Sequence, residues 1–442
     1  MDLISLLTWA GKLAVLACGF LFVGGVLLSL APTPFVEEYD VEGKSPHFNP
    51  WFSLLRGFFS PVKSLMYSTT DAAELPPLSL SFRNVGFDPA LVRGLHELRR
   101  KSVAKPLNPT EKLGAQPVPF FYLEVVSFAQ FIVLMTHSAF PFALLGSVHA
   151  RTQIRQDAKL FMDDRVTLSV RIAASRPHRR GTEVDFEALA YFEEGFEKDR
   201  TTGPVWSNIT TVLFFHKQKN TVLQGPKYVP MEDAGCIASE AAPLAFNTGF
   251  AYAALCQDYN PIHLWASTAK LFGFKSAIVH GMCLLEKSLP CILDASAAMT
   301  PVAAEHLQAA ADAAAHNERV PEAVQPLQEA AASSHASGAG HLTASARAAL
   351  LAGAPPSLPA LISVSFRKPV FLPSMPQVAA FAARHAAVAA VAAGWEDSLA
   401  TAAAGGPSAD LASLSGPAVA YQVKDEKGSV CLHGTLAVGA LI

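Results

Sequence analysis

The chain has 442 residues, enough for two or three domains, and only 16% of them are charged against about a quarter in an average soluble protein. Its 51% hydrophobic content therefore requires a membrane segment, a large core or low-complexity alanine. The formal net charge of −3 at pH 7 provides no basic field for nucleic acid, and the six cysteines lack metal-ligand spacing, which disfavours zinc and suits free thiols.

The N-terminal segment, residues 1–35, contains an uncharged apolar run at residues 13–31. Its length is close to the ~20 residues that cross the core of a bilayer. A membrane anchor and a cleaved signal both fit, but signals hold at most about 15 apolar residues, so the length favours an anchor. Residues 36–84, with proline, glycine and aromatics, are predicted to be a connector.

Two helices are predicted next, a polar one at residues 88–105 and a buried one within residues 117–148, where a strand follows it. The second stretch is apolar enough to resemble a membrane span, but Glu124 and His137 interrupt it and Pro141 breaks it. A buried helix followed by long antiparallel strands indicates an α+β fold. Alternating side chains predict those strands at residues 166–172, 184–190 and 205–215.

The second half of the chain repeats this order, with two interruptions. A helix is predicted at residues 281–294. Alanine-rich sequence at residues 299–356 is predicted to be a surface insertion, and residues 394–416 a second, shorter one. Strands are predicted at residues 360–367, 378–390, 418–423 and 430–438, the last two joined by a hairpin turn.

Polar groups are concentrated ahead of that second helix, in CQDYNPIHLWASTAKLFGFKSAIVHGM at residues 256–282. Asp258 and His263 flank an Asn-Pro pair, and a tight turn there can bring a carboxylate and an imidazole to one water. Pro261 prevents a continuous helix through the turn. Taken alone, the same tetrapeptide is more typical of a turn that caps the next helix, and a lone histidine is more typical of a structural role.

His280 and Gly281 immediately precede the predicted second helix. A glycine lets a ligand approach the backbone closely, and its N–H lies at the positive end of the helix, where it can stabilise charge on a carbonyl oxygen. His280 also fits a simpler role, as a hydrogen-bond partner of the backbone.

Together these residues resemble a known signature. The stretch YAALCQDYNPIH at residues 252–263, followed by Ala269, is similar to that of the MaoC-like (R)-specific enoyl hydratases and 3-hydroxyacyl-thioester dehydratases. The stretches IVHGM at residues 278–282 and VSFRKPV at residues 364–370 continue the pattern.

The first half resembles the two-unit members of that family, through FPFALLGSVH at residues 140–149 and RPHRRG at residues 176–181. The resemblance implies a double hotdog, in which two antiparallel sheets each wrap a central helix, preceded here by an N-terminal hydrophobic helix. It implies that the first hotdog is non-catalytic and helps to form the acyl tunnel. The predicted bounds are residues 85–225 for the first hotdog, 226–244 for a linker and 245–442 for the catalytic hotdog.

The activity that the resemblance implies is reversible syn dehydration of a (3R)-3-hydroxyacyl thioester to a trans-2-enoyl thioester. Asp258 and His263 would move the protons, in roles that the sequence does not divide between them, and the Gly281 N–H would bind the thioester carbonyl. No metal or redox cofactor is implied. Three further residues are expected to orient the loop or the substrate: Asn260, His280 and Ser288.

The implied carrier is coenzyme A or acyl carrier protein, each presenting a phosphopantetheine arm near negative charge. Fatty-acid synthesis or elongation at a mitochondrial or endoplasmic-reticulum membrane suits these features, although the same chemistry run as hydration serves fatty-acid breakdown. Two units in one chain imply a pseudo-dimer, alone or within a homo-oligomer. Five basic residues are candidates to meet the carrier's charge, or are simply solvated: Arg176, Arg179, Arg180, Arg367 and Lys368.

The chain departs from the family at two positions of the motif. Gln257 stands where glycine is usual, and Cys256 where serine is common. If the turn requires a positive φ at residue 257, glutamine is strained there by roughly 1 kcal/mol or more. This departure favours an alternative of a different class, a non-catalytic acyl-binding or scaffold subunit of a membrane lipid-metabolism complex.

Overall fold

The computed structural model describes residues 36–46, 75–99, 116–144, 146–193, 203–216, 236–298, 360–383 and 418–438. The apolar run and both predicted insertions lie outside these residues. Within the described ranges, no helix combines the length and the hydropathy of a membrane span.

Eleven strands form one mixed sheet across the described residues. They are β1 (Val36–Asp40), β2 (Ser79–Val85), β3 (Val148–Gln156), β4 (Val166–His178), β5 (Gly181–Phe192), β6 (Trp206–Phe215), β7 (Cys236–Ala241), β8 (Ala360–Phe366), β9 (Gln377–Ala383), β10 (Ala418–Lys424) and β11 (Val430–Val438). The described helices are α1 (Pro89–Arg99), α2 (Tyr122–Thr136), α3 (Thr248–Cys256), α4 (Pro261–Leu264), α5 (Ala266–Leu271) and α6 (Gly281–Ala298).

The strand order shows an internal repeat. Across the sheet it runs β1-β2-β4-β5-β6-β3-β8-β11-β10-β9-β7. The first unit, β2 to β6, and the second unit, β7 to β11, thus share one layout, in which the second strand in chain order lies innermost and the first outermost. The two innermost strands, β3 and β8, pair antiparallel and join the units into one sheet.

A long helix follows the first strand of each unit and packs on the sheet. In the first unit α2 lies against β4, and in the second unit α6 lies against β7, β9 and β10. Helix α2 is mostly apolar and is buried almost throughout, including its polar residues Glu124, Ser127 and Gln130. Helix α1 of the first unit extends the contact between the units, since it packs against both α3 and α6.

Most of the predicted helices and strands are found, but the strand expected within residues 117–148 is not, because β3 begins only at Val148. Strand β4 continues past its predicted end at residue 172, because Ser175 to His178 pair with the start of β5, and only Arg179 and Arg180 make the turn. Strand β7 lies within the predicted linker, and β1 and most of β2 lie within the predicted connector. The sequence of β7, CIASEA, has few large apolar side chains and so does not predict a strand. The segment forms a strand because its backbone pairs with β9.

Candidate active site

The polar motif forms a sharp bend between α3 and α4. Gln257 ends α3 in the left-handed conformation, with φ 60° and ψ 12°, and its N–H donates to the Ala253 carbonyl at 2.8 Å. The carboxylate of Asp258 accepts from the Asn260 N–H at 3.1 Å. Asn260 in turn caps α4, because its side-chain oxygen accepts from the Ile262 N–H. The capping role expected of this tetrapeptide is therefore confirmed for Asn260, and it fixes the direction of the Asp258 side chain.

The bend brings Asp258, His263 and His280 together. Oδ2 of Asp258 lies 3.9 Å from Nε2 of His263 and 3.8 Å from Nε2 of His280. The two imidazole rings stack with their centroids 3.8 Å apart. All three side chains are largely enclosed, with exposed fractions of 18% for Asp258, 12% for His263 and 5% for His280.

Hydrogen bonds to carbonyl groups fix the tautomers of both histidines. Nδ1 of His263 lies 2.8 Å from the Ile278 carbonyl, so it carries the proton and Nε2 presents a lone pair towards Asp258. Nε2 of His280 lies 3.0 Å from the Asp258 carbonyl and must donate to it. His280 therefore tethers the backbone of the bend and supports the ring of His263.

Burial keeps both imidazoles neutral. It lowers the pKa of His263 below 6.5, against the opposing effect of the nearby Asp258 carboxylate. Burial, reinforced by the neighbouring His263, lowers the pKa of His280 well below 6.5. At neutral pH, His263 is thus able to accept a proton at Nε2.

Gly281 begins α6 directly after His280, whose carbonyl accepts from the Leu284 N–H at 3.1 Å. An N–H in the first turn of a helix has no intrahelical acceptor and lies at the positive end of the helix dipole. Phe366, the last residue of β8, packs against Gly281 so closely that a Cβ there would lie 2.6 Å from the Phe366 Cε1 atom. Glycine is therefore required at the start of this helix for steric reasons.

Ser288 is not part of the cluster. Its hydroxyl is fully buried and donates to the Leu284 carbonyl at 2.7 Å, one turn back along α6. Seven residues separate it from Gly281, which places it about 10 Å along the helix axis. The structure thus gives Ser288 a partner within its own helix, and its substrate-orienting role stays a prediction.

The five basic candidates have different surroundings. Arg176 forms ion pairs with Glu183 at 2.8 Å and Asp185 at 2.5 Å, so its charge is already balanced within the sheet and the carrier role does not fit it. Arg179 and Arg180 are exposed at the β4–β5 turn, the latter over the Phe215 ring.

Arg367 and Lys368 lie nearer the cluster. Both are exposed, and they follow directly on Phe366, which touches Gly281. Two residues further on, the Val370 carbonyl accepts from the Val279 N–H, so this segment runs alongside the strand-like approach to α6. Arg367 and Lys368 therefore lie at the edge of the cluster, unlike Arg176, Arg179 and Arg180.

Phe366 was not identified by its sequence pattern. It lies within the VSFRKPV stretch, in which only Arg367 and Lys368 were candidates for a functional role. The contact of Phe366 with Gly281 shows that it shapes the site. Tyr252 likewise belongs to the signature without a predicted role, yet its buried ring lies 5.2 Å from the ring of His280. Apolar side chains that shape a site carry no spacing signal that separates them from core residues.

The cluster contains residue types that bind metal ions. The ligand atoms of Asp258, His263 and His280 lie within 4.8 Å of one another. However, Nε2 of His280 already donates to a carbonyl, which leaves one carboxylate and one imidazole nitrogen. Catalytic zinc sites use about three protein ligands, so these residues fit a water molecule better than a metal.

Comparisons with known proteins agree with the geometry. Residues 237–303 match the family described as MaoC like domain. The 3-hydroxyacyl-thioester dehydratase X of Mycobacterium tuberculosis (strain ATCC 25618 / H37Rv) is 34% identical over 167 residues, which cover 37% of this chain and 56% of that protein. The match thus spans just over half the length of that relative.

Two solved structures are similar to this chain at low sequence identity. The crystal structure of HtdX of Mycobacterium tuberculosis has 19% identity and a TM-score of 0.44, covering 81% of this chain and 98% of that one. A MaoC-like dehydratase of Phytophthora capsici has 12% identity and a TM-score of 0.45, covering 83% and 96%. The sequence matches establish that this chain contains a MaoC-like domain, and that Asp258, His263 and Gly281 lie within it.

Proposed function

We propose that the protein is a hydro-lyase that interconverts (3R)-3-hydroxyacyl thioesters and trans-2-enoyl thioesters. The observation that carries this proposal is the pairing of the Asp258 carboxylate with a neutral His263 whose Nε2 lone pair lies 3.9 Å away. The match of 167 residues of this chain to a 3-hydroxyacyl-thioester dehydratase supports the same reaction.

In the hydration direction, a water molecule lies between Asp258 and His263. The pair takes one proton from the water as its oxygen bonds to C3, and returns one proton to C2 on the same face. The pair therefore ends in the protonation state in which it began. His263 is the better initial acceptor, because its Nε2 is unprotonated at neutral pH and its Nδ1–H is held by the Ile278 carbonyl.

The Gly281 N–H stabilises the thioester oxygen. Negative charge develops on this oxygen when C2 is deprotonated, or when water adds to C3, because the intermediate is enolate-like. A donor at the helix N-terminus meets that charge without reorganisation. The thioester itself makes the C2 proton acidic, so the mechanism uses side chains and one backbone amide without a redox cofactor.

The repeated strand order supports a double hotdog with one active unit. The first unit occupies residues 79–215 in the described structure and has no counterpart of the Asp-x-Asn-Pro-x-His bend, so it is the non-catalytic partner that completes the acyl tunnel. The second unit begins with β7, inside the segment that the sequence predicts to be a linker. The pairing of β3 with β8 makes a pseudo-dimer within one chain.

The carrier is coenzyme A or acyl carrier protein, with Arg367 and Lys368 nearest to where its phosphate would lie. Exposed apolar side chains beside the motif, including Phe250 and Trp265, suit an enzyme that handles long acyl chains. A membrane anchor at residues 13–31 would place it in fatty-acid synthesis or elongation on a mitochondrial or endoplasmic-reticulum membrane.

The alternative, a non-catalytic acyl-binding or scaffold subunit, depends on Gln257. The glutamine does occupy the positive φ that the family fills with glycine. However, the bend still aligns Asp258 with His263, so the substitution affects the energy of the bend and leaves the geometry of the pair intact. This outcome favours the enzyme over the scaffold.

Hydration of crotonyl-CoA by the full-length protein, followed as loss of enoyl absorbance, tests the proposal. The assay is repeated with longer enoyl chains and with enoyl-acyl carrier protein, and Asp258→Asn provides a near-isosteric inactive control. Turnover that disappears in this variant supports the enzyme. A purified, folded protein that hydrates none of these substrates, but still binds them, supports the scaffold.

A further inference from the structure

A row of aromatic rings connects helix α2 of the first unit to Gly281, whose amide is the proposed oxyanion donor. Because β3 pairs with β8, Arg151 lies opposite Ser365, and His149 lies beside Phe366. The ring centroids of His149 and Phe366 are 4.7 Å apart. On its other side His149 stacks on Phe128 of α2, with centroids 5.5 Å apart.

Phe366 transmits this contact to Gly281. A Cβ on Gly281 would lie 2.6, 2.7 and 3.1 Å from three atoms of the Phe366 ring, so the ring lies directly against the glycine backbone. Any movement of the ring alters the space at the start of α6. The His149 ring also contacts the Phe366 ring, with centroids 4.7 Å apart, and so limits that movement.

Polar contacts hold His149 in place. Its Nε2 lies 2.5 Å from the Thr152 hydroxyl, which is 3.2 Å from the hydroxyl of Thr210 on β6. Desolvation lowers the pKa of His149 to about 4, so the ring is neutral at physiological pH and packs as an uncharged aromatic. The chemistry at Asp258 and His263 does not involve it.

We propose that His149, a residue of the non-catalytic first unit, is a positioning residue for the reaction: it holds the Phe366 ring against Gly281 and so fixes the amide that binds the thioester carbonyl. This inference rests on the proposed function. It gives the first unit a role in the rate of the chemical step, in addition to any role in enclosing the acyl chain.

Three variants of the full-length protein test this role with crotonyl-CoA. In His149→Ala the Phe366 ring loses its neighbour, and kcat should fall on the order of 10-fold with little change in KM, less than the 10²–10³-fold loss of an entire oxyanion donor. His149→Phe keeps an aromatic ring between Phe128 and Phe366 and should restore most of kcat. Phe366→Leu keeps apolar volume, removes the ring and should resemble His149→Ala.

His216 of the same unit provides a matched control. It also stacks on a phenylalanine, Phe142 at 5.6 Å, and shares a hydrogen bond with a threonine hydroxyl, that of Thr182 at 2.8 Å, where β5 pairs with the end of β6. His216→Ala should lower the melting temperature about as much as His149→Ala does and leave kcat at the wild-type value.

The outcomes separate the two proposals. Wild-type kcat in a folded His149→Ala variant overturns the positioning role, as does a His149→Phe variant as slow as His149→Ala. If His149→Ala does not fold, wild-type kcat in Phe366→Leu overturns it instead. An inactive wild-type protein refutes the proposed function, and this inference with it.

Discussion

The two units share a strand order but differ in how the chain enters the long helix. In the first unit α2 follows Phe121 and begins at Tyr122, both fully buried aromatic residues. In the second unit α6 follows His280 and begins at Gly281, beside a bend that supplies Asp258. The layout of a helix wrapped by a sheet, which both units share, therefore does not make a site by itself. The site depends on the few residues that precede the helix.

The charged groups of the two units also differ. In the first unit Arg176 is paired with both Glu183 and Asp185, and Arg151 with Glu183 at 2.5 Å, so each charge has a direct partner. In the second unit Asp258 and His263 are 3.9 Å apart, too far for a direct hydrogen bond. Closed pairs stabilise a sheet, whereas an open pair leaves room for a water molecule.

The largest effect expected from this difference is on catalysis. Asp258→Ala and His263→Ala should each lower kcat/KM by roughly 10²–10⁴-fold, because each removes a proton-transfer group. In the first unit Asp185→Asn removes a carboxylate that is also enclosed but is paired with Arg176, and it should lower stability without lowering kcat/KM. Enoyl hydration rates and thermal melts of the three variants measure both properties. Loss of activity only in Asp185→Asn would reverse the assignment of the units.

Gly281→Ala should produce the next largest effect, a decrease in kcat of about 10–100-fold, since a displaced oxyanion donor loses part of the 10²–10³-fold that its removal costs. The added methyl group would lie 2.6 Å from a Phe366 ring atom, so the start of α6 must shift. Gly203→Ala is the control in the first unit, because a Cβ there has no neighbour within 4 Å. Equal rates for both alanine variants would show that the Gly281 amide has no role.

The pH profile tests the neutral state of His263. Burial lowers its pKa below 6.5, so the imidazole remains a proton acceptor as the pH falls to that value, and gains a proton only in more acidic solution. With crotonyl-pantetheine, which has no titrating phosphate, kcat/KM should decrease in acid with a midpoint below pH 6.5. First-unit His178→Gln should leave the profile unchanged. A midpoint above 6.5 would mean that the charged imidazole is not disfavoured in this site.

Gln257→Gly should produce the smallest effect, on stability. Glutamine at φ 60° is strained, and glycine should raise the free energy of unfolding by about 1 kcal/mol. Asn84 of the first unit has φ 56°, but asparagine tolerates this conformation, so Asn84→Gly should gain only a few tenths of a kcal/mol. Denaturant unfolding measures both. A destabilised Gln257→Gly variant would show that the glutamine side chain contributes more than its backbone strain costs.

Local sequence patterns predicted most of this fold and the core of its site. Alternation placed β4, β5, β6, β10 and β11, and the motif placed Asp258 and His263 on one bend. The sequence left open whether residue 257 needs a positive φ, and the structure shows Gln257 at φ 60°. These features depend on residues that are close in sequence, where turn chemistry and periodicity act directly.

Features that depend on distant pairing were missed. Strand β7 forms because β9 lies beside it, and no alternation in CIASEA marks it. Arg176 appeared available for a phosphate, but the register of β4 with β5 places Glu183 opposite it.

The most direct test asks whether Asp258 and His263 act together on one water. It compares crotonyl-CoA hydration by the double variant Asp258→Asn/His263→Gln with hydration by each single variant. Groups that act as a unit give non-additive losses. The double variant should therefore hydrate crotonyl-CoA as slowly as the slower single variant and no slower. Losses that multiply would mean that the two residues act independently, and single variants with wild-type rates would place the chemistry elsewhere in the chain.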